Sequence, residues 1–383
     1  RYQIELGTKG NNLSASVKKQ IEDCNLTGIE FVESNSRYYP LGDFCSYVVG
    51  YAKSYNDQSV KKMVGEMGLE LSYDKQLKGK NGYKVYQTDA NGYALVDGTL
   101  REKDPTNGND LYLTIDSGLQ RNLDYLMSNA YSESGAEVVT AGVMEIKTGK
   151  ILAMSTYPSF NPNERNISTF NNYFLEGTIE CGSVFKPFIY AAALEKGLTL
   201  SSVLQDSPIS IQKPGQPLWQ PKNSPDRYDG PMRLRVGLGQ SKNMIAIRAL
   251  QTAGVDFTAE FLQRFGFKRD QYFASEALAL GAASFTPLEM ARAYAVFDNG
   301  GFLIDPYLSE KIQDNTGKDL FIANPKIACI TCNDIPVIYG ETKDKIDGFK
   351  DVAEVANPDN LKSAKGNSNT DTDEGEGDQQ PEN

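Results

Sequence analysis

The chain has 383 residues, 40% hydrophobic and 23% charged, with 34 Gly, 17 Pro, 5 Cys and no His; that length suggests two domains and enough apolar material for a core. The lack of histidine excludes a Ser-His-Asp triad, a Cys-His pair, a His-ligated zinc and an HExxH protease, so any nucleophilic chemistry within the chain must use a lysine or carboxylate base. A formal net charge of -11 argues against nucleic acid as a partner, because phosphate contacts require clustered Lys and Arg.

Residues 1–108 are rich in Tyr, Lys, Gly and Asn. They alternate over Tyr83 to Tyr86 and carry turn signals at Asn81-Gly82, Asn91-Gly92 and Asn107-Gly108, which predicts a small, open, mixed α and β module. Leu111 to Ile115 alternates as a strand, and Leu119, Leu123, Leu126, Met127 and Ala130 fall on one helical face. Val138 to Ile146 and Lys150 to Ser155 read as two strands joined by Lys147-Thr148-Gly149, with Gly149 free to take the positive φ of a hairpin loop.

From Ser183 the pattern turns helical. An Ala-rich helix over Phe188 to Lys196 closes on Gly197. A later helix has Thr286 as N-cap, Pro287 at N1 and Glu289 completing a capping box; its predicted buried face is Leu288, Ala291, Ala295 and Val296, and it stops at Asn299-Gly300-Gly301. The tail over 357–383 is acidic and nearly free of apolar residues, which predicts disorder. Cys24, Cys45, Cys181, Cys329 and Cys332 do not describe a disulfide framework; Cys329 and Cys332 read as a free or oxidised thiol pair rather than a zinc site. No apolar run approaches the ~18 residues of a membrane span, so the chain reads as soluble, the outer part of something anchored elsewhere.

With histidine excluded, the chemistry turns on where a serine and a lysine meet. Ser183 and Lys186 stand three apart at the start of the Ala-rich helix, which puts them on one face. A serine there has backbone N–H groups nearby to favour an oxyanion, and a partly desolvated lysine has a depressed pKa suited to a base. The SxxK spacing recurs at Ser16, Ser59, Ser72 and Ser210, so context singles out Ser183: Gly182 before it, Phe185 to Phe188 after it, an apolar helix behind it. SxN also occurs at Ser54 and Ser159, but only Ser241-Lys242-Asn243 lies downstream of that serine, between two helical stretches, Arg233 to Leu238 and Met244 to Gln251.

Gly182-Ser183-Val184-Phe185-Lys186-Pro187-Phe188, Trp219-Gln220-Pro221-Lys222-Asn223 and Gly239-Gln240-Ser241-Lys242-Asn243 resemble the transpeptidase domain of class A penicillin-binding proteins, a likeness running over about 181–340. The first 180 residues instead resemble class B members, in Arg37-Tyr38-Tyr39-Pro40, Val49-Gly50-Tyr51, Leu113-Thr114-Ile115-Asp116 and Thr148 to Met154. The resemblance implies an α+β fold: a mixed α and β pedestal over 1–108, a penicillin-recognising serine-enzyme domain of the β-lactamase/transpeptidase kind over 109–356, and the tail.

It also implies a D,D-transpeptidase that cross-links peptidoglycan stem peptides on the outer face of the cell membrane. Ser183 is the implied nucleophile, Lys186 its base, Ser241 the proton relay and Asn243 the holder of the substrate amide, with Trp219 and Asn223 at the cleft or in its packing. Implied partners are stem peptides, β-lactam antibiotics and, through the pedestal, cell-wall synthesis proteins; no metal or organic cofactor is implied. Two departures stand out. Cys181 occupies the usual place of a proline, and the Lys-Thr/Ser-Gly strand expected after SxN is missing, since the one Lys-Thr-Gly, Lys147 to Gly149, precedes the serine. That gap keeps open a catalytically incomplete cell-wall scaffold, whereas the pedestal and the lack of a deacylation loop argue against a β-lactamase.

Overall fold

The computed structural model describes residues 6, 10, 13–31, 36–57, 60–89, 94–215 and 217–328. Asn91-Gly92, Cys329, Cys332 and the acidic tail, on which sequence expectations were placed, lie outside the described residues. The chain divides into two units. One contains residues 1–112, 158–170 and 311–321, and the other contains 113–157, 171–310 and 322–383. Two short stretches far along the chain therefore group with the N-terminal module, which a contiguous 1–108 domain does not capture.

In the first unit, α1 (Ala15–Asp23) is capped by the Ser14 side chain. The short α2 (Ser46–Val49) leads into an antiparallel hairpin of β1 (Tyr51–Asp57) and β2 (Val60–Met67), then α3 (Gly68–Ser72) and α4 (Asp74–Leu77). A second antiparallel hairpin pairs β3 (Tyr83–Thr88) with β4 (Ala94–Lys103), and β5 (Asp110–Leu113) follows. Tyr47, Tyr51, Met67 and Phe160 form its small apolar cluster, and the Tyr47 and Phe160 rings meet edge to face at 5.0 Å.

The second unit opens with α5 (Ser117–Ser134), whose N-cap Asp116 accepts from the N–H groups of Gly118 and Leu119. The Thr114 hydroxyl donates to the Ile151 carbonyl at 2.6 Å, so the Leu-Thr-Ile-Asp run ends a strand and starts a helix. The apolar face predicted for α5 is only partly the buried one: Leu123, Met127 and Ala130 are half-buried, whereas Leu119 and Leu126 are exposed and Gln120 is fully buried. The cause is polar: the Gln120 amide accepts from the N–H of Met154 and donates to its carbonyl, docking the helix on the neighbouring sheet through two backbone hydrogen bonds.

That sheet pairs β6 (Val139–Met144) with β7 (Ile151–Tyr157), antiparallel, through the expected Lys147-Thr148-Gly149 turn, where Gly149 has φ +80°. β8 (Ile179–Glu180) precedes a 3-10 turn at Gly182–Phe185 and α6 (Lys186–Glu195). Next come β9 (Val203–Asp206), β10 (Gly230–Arg233), α7 (Leu234–Gly239), α8 (Asn243–Ala253) and α9 (Val255–Leu262). β11 (Ser284–Phe285) pairs with β8 and leads into α10 (Pro287–Asp298). β12 (Ser309–Gln313) and β13 (Asp319–Ile322), most of whose residues belong to the first unit, join β5 in a three-stranded sheet of order β13-β12-β5.

The main core forms where α6 meets α8 and α9. α6 is apolar over most of its surface, as a largely enclosed helix must be: Phe188, Ile189, Ala192 and Ala193 are all buried, and only its end, at Leu194 and Glu195, is exposed. Phe185, Phe267 and Phe285 pack with ring centroids 4.4 to 5.6 Å apart, each large ring contributing about 1.5–3 kcal/mol on burial. The capping box of Thr286 and Glu289 forms as expected. On α10, however, Ala293 joins Leu288, Ala295 and Val296 in the core, while Ala291 is only partly buried.

Candidate active site

Ser183 owes its place to the strand and turn on either side of it. β8 is tied to β11, and the Cys181 and Gly182 N–H groups donate to the Ala283 and Gly281 carbonyls at 3.1 and 3.2 Å. Gly281 has φ +77°, and a Cβ there would sit 2.0 Å from the Gly182 carbonyl oxygen, so only glycine permits this approach. Two residues after the serine, Phe185 is fully buried and stacks on Phe285. The turn is thus pinned at both ends while Ser183 itself faces solvent.

Lys186 is only 1% exposed. Its ammonium donates to the Ser241 carbonyl at 2.5 Å, the Asn243 Oδ1 at 2.7 Å and the Ser241 hydroxyl at 3.1 Å. Three donors thus meet three oxygen acceptors, none of them a carboxylate. Burial disfavours the charged form and brings its pKa down to about 8. No hydrogen bond joins Ser183 to Lys186 among the described residues. The structure therefore brings Lys186, Ser241 and Asn243 together and leaves Ser183 on the adjoining turn; catalytic hydrogen bonds commonly tighten only when substrate arrives.

The loop that meets Lys186 is itself unusual. Ser241 takes φ +54°, a left-handed conformation uncommon for a residue with a Cβ. It is secured by Ser241 N–H to the Leu238 carbonyl and Lys242 N–H to the Gly237 carbonyl, both at 2.9 Å. The Asn243 amide also donates to the Lys222 carbonyl at 2.7 Å. Beside the loop lies an open cleft of about 270 Å³ lined by Ser224, Pro225, Arg227, Asp229, Gln240 and Ser241, among others.

Of the two residues placed at the cleft by resemblance, Asn223 lines it while its side chain is engaged in hydrogen bonds within the protein. Asn223 is buried; its amide donates to Asp206 and to the Arg227 carbonyl, and its carbonyl accepts from the N–H groups of Asn243 and Met244. Every polar valence is occupied, so it braces the loop. Trp219 forms an isolated bridge with Ile211 and packs against the main core. The Cys181 thiol meets the Ile179 carbonyl and, at 3.4 Å, the Met290 sulfur, and burial pushes its pKa up, away from a reactive thiolate. Lys147-Thr148-Gly149 remains a hairpin turn, with the Thr148 hydroxyl on Glu145. The residue that sequence reasoning missed is Asp206, a fully buried carboxylate beneath the loop. It belongs to no recognisable spacing; the only hint was an acidic residue ending a short strand.

Residues 139–329 match the penicillin binding protein transpeptidase domain, and residues 2–113 match the penicillin-binding protein dimerisation domain. Together these cover most of the chain, which belongs to the penicillin-binding protein family. Penicillin-binding protein 1A of Haemophilus influenzae is 87% identical over 181 residues, 47% of this chain and 21% of that protein. Penicillin-binding protein 1A of Escherichia coli is 49% identical over 212 residues, 55% of this chain and 24% of that protein. The chain thus spans less than a quarter of the length of these curated relatives. Among solved structures, penicillin binding protein 2X from Streptococcus thermophilus matches 84% of this chain and 51% of its own, with 24% identity and a TM-score of 0.68. A peptidoglycan synthetase from Bifidobacterium adolescentis matches 82% of this chain and 59% of its own, with 21% identity and a TM-score of 0.62. These two likenesses establish the fold: a transpeptidase domain of mixed helix and strand with a dimerisation domain before it.

Proposed function

We propose that the chain is a serine D,D-transpeptidase that cross-links peptidoglycan stem peptides and is acylated by β-lactams at Ser183, acting on the outer face of the cell membrane. The observation that carries this reading is Lys186: a buried lysine with no carboxylate partner among the described residues, one helical step from an exposed serine and in hydrogen-bond contact with Ser241 and Asn243. A pKa near 8 leaves a useful fraction of neutral amine at neutral pH.

Neutral Lys186 takes the Ser183 proton as the hydroxyl oxygen attacks the D-Ala-D-Ala carbonyl. Ser241, already within 3.1 Å of the ammonium, passes a proton to the departing D-Ala. An amine of a second stem then resolves the acyl-enzyme. The missing Lys-Thr/Ser-Gly strand removes a contact to the substrate carboxylate and part of the oxyanion environment; loss of one such donor slows reaction about a hundredfold to a thousandfold, so slow acylation is expected. A fluorescent penicillin should attach at Ser183, located by peptide mass, and label should vanish in Ser183→Ala. Label at Ser16, Ser59, Ser72 or Ser210 sinks the assignment. A cooperatively folded chain that takes no label supports the scaffold reading.

A further inference from the structure

Asp206 ends β9, and its carboxylate is completely enclosed. One oxygen accepts from the Asn223 amide at 2.7 Å; the other accepts from the Asp229 N–H at 3.0 Å and lies 3.0 Å from the Lys242 ammonium. Lys242 in turn meets Asp229 at 2.6 Å and the Arg227 carbonyl at 3.2 Å. Asn223 carries the other route, since its carbonyl oxygen receives the N–H of Asn243 at 2.9 Å. A single carboxylate thus grips both residues that follow Ser241, one through a cation and one through an amide. The same loop holds Ser241 in its left-handed conformation and supplies all three acceptors of Lys186. A strained conformation persists only where its surroundings over-determine it, and these two routes supply that over-determination.

We propose that Asp206 is a positioning residue for acyl transfer: acting through Lys242 and Asn223, it fixes the Ser241 to Asn243 loop in the geometry that presents Lys186 as the base. The proposal rests on the transpeptidase reading above. Asp206 does not touch Ser183 or Lys186; the effect argued here runs through the loop that holds the base and is read in the limiting rate. Nothing else in the structure gives this carboxylate a role: its oxygens serve the loop and the adjoining Asp229 turn.

The test uses the full 383-residue chain with Asp206→Asn, which preserves shape but places an amide where Lys242 and the Asp229 N–H require an acceptor. Stopped-flow acylation by a fluorescent penicillin should show a limiting rate reduced about a hundredfold, the scale of an ångström-level misplacement, with the half-saturating concentration changed less than about threefold. Hydrogen exchange at the Asn243 and Met244 amides should quicken about tenfold or more, while Ile247 and Leu250 on the same helix keep their protection. If Asp206→Asn does not fold, Lys242→Gln cuts one of the two routes and should show the same pattern in smaller measure. The double variant should be no slower than the slower single one, because both act through one tie. An unchanged limiting rate, unchanged exchange at Asn243 and Met244, or loss of protection spread evenly along α8 overturns the proposal. A wild-type chain that takes no label overturns the transpeptidase reading and the catalytic part of this proposal with it, whereas the exchange measurement judges the tie separately.

Discussion

Two polar clusters, one in each unit and the first only partly buried, put charged groups to opposite uses. In the first unit, Arg37 meets Glu70 through two hydrogen bonds at 2.8 and 3.1 Å, and Tyr39 adds its hydroxyl at 3.4 Å while accepting from the Ala52 N–H at 2.7 Å. Cation faces carboxylate, and burial together with Glu70 pushes the Tyr39 phenol up to about 12. In the second unit, Lys186 has good hydrogen bonds but no opposing charge, and its pKa falls to about 8. Hydrogen bonds satisfy an ion's geometry; a counter-charge secures its ionisation. The Arg37–Glu70 cluster has both. Among the described residues the Lys186 cluster has only the first. Lys242, one loop residue away, sharpens the point: facing Asp206 and Asp229, it is held above the usual lysine range, chiefly by its hydrogen bond to Asp229.

The largest effect that tests this contrast is removal of the base. Lys186→Met should lower the acylation rate by about a hundredfold to ten-thousandfold, read by stopped-flow labelling; a variant retaining a tenth of the wild-type rate breaks the assignment. Next comes pH. Acylation should climb as pH rises through about 8, where Lys186 loses its proton. Stability should change too. Between pH 8 and 10.5 the unfolded lysine still binds a proton that the folded one has released, so Lys186 adds stability as pH rises across that window. Urea unfolding of Lys186→Met should lack that component, and an unchanged slope would count against a depressed pKa.

In the pedestal, Glu70→Gln removes the counter-charge. It should cost about 1–3 kcal/mol in urea unfolding, toward the low end because about a third of the Arg37 side chain stays in water. No loss would mean that the pair contributes shape alone. The smallest effect concerns Glu176, whose carboxyl is pushed up to about 7 by burial. The folded chain there keeps a proton that the unfolded chain releases near 4.5, so stability from this group is complete below pH 4.5 and disappears as pH rises through 7. Glu176→Gln should flatten stability over that range; an identical pH profile would show that the group is solvated.

Local chemistry decided what could be read from the sequence. Thr286, Pro287 and Glu289 specify a helix start by themselves, and Gly149 and Gly197 mark a turn and a helix end, because each acts on atoms a few residues away. Ser183 and Lys186 were read as a candidate pair for the same reason, and Ser241 and Asn243 from their place between two helical stretches; the structure brings the latter two to Lys186. The α5 face was partly misread because periodicity counts apolar side chains, whereas Gln120 is buried to serve the Met154 backbone 34 positions away. Asp206 was invisible on similar grounds: its contacts lie 17 to 36 positions along the chain, at Asn223, Asp229 and Lys242. Trp219 and Asn223 were marked by a recognised string, whereas the hydrogen bonds by which Asn223 braces the loop from the cleft wall lie 17 and 20 positions along the chain. The grouping of residues 158–170 and 311–321 with the first unit follows from chain topology, which no local pattern records.

The turn that carries Ser183 is a joint between main chains. Gly182 and Gly281 meet through backbone atoms, at a separation that leaves no volume for a methyl group on Gly281. Two consequences follow. Gly281 cannot gain a side chain without displacing the Gly182 carbonyl, whereas Gly182, whose Cβ would meet open space, is tied by its φ of +58°. Freedom to vary is left to residues that ring the joint without forming it, such as the exposed Val184 and Ile179. Heritable change can therefore reshape the approach to the serine far more readily than the pivot on which it stands.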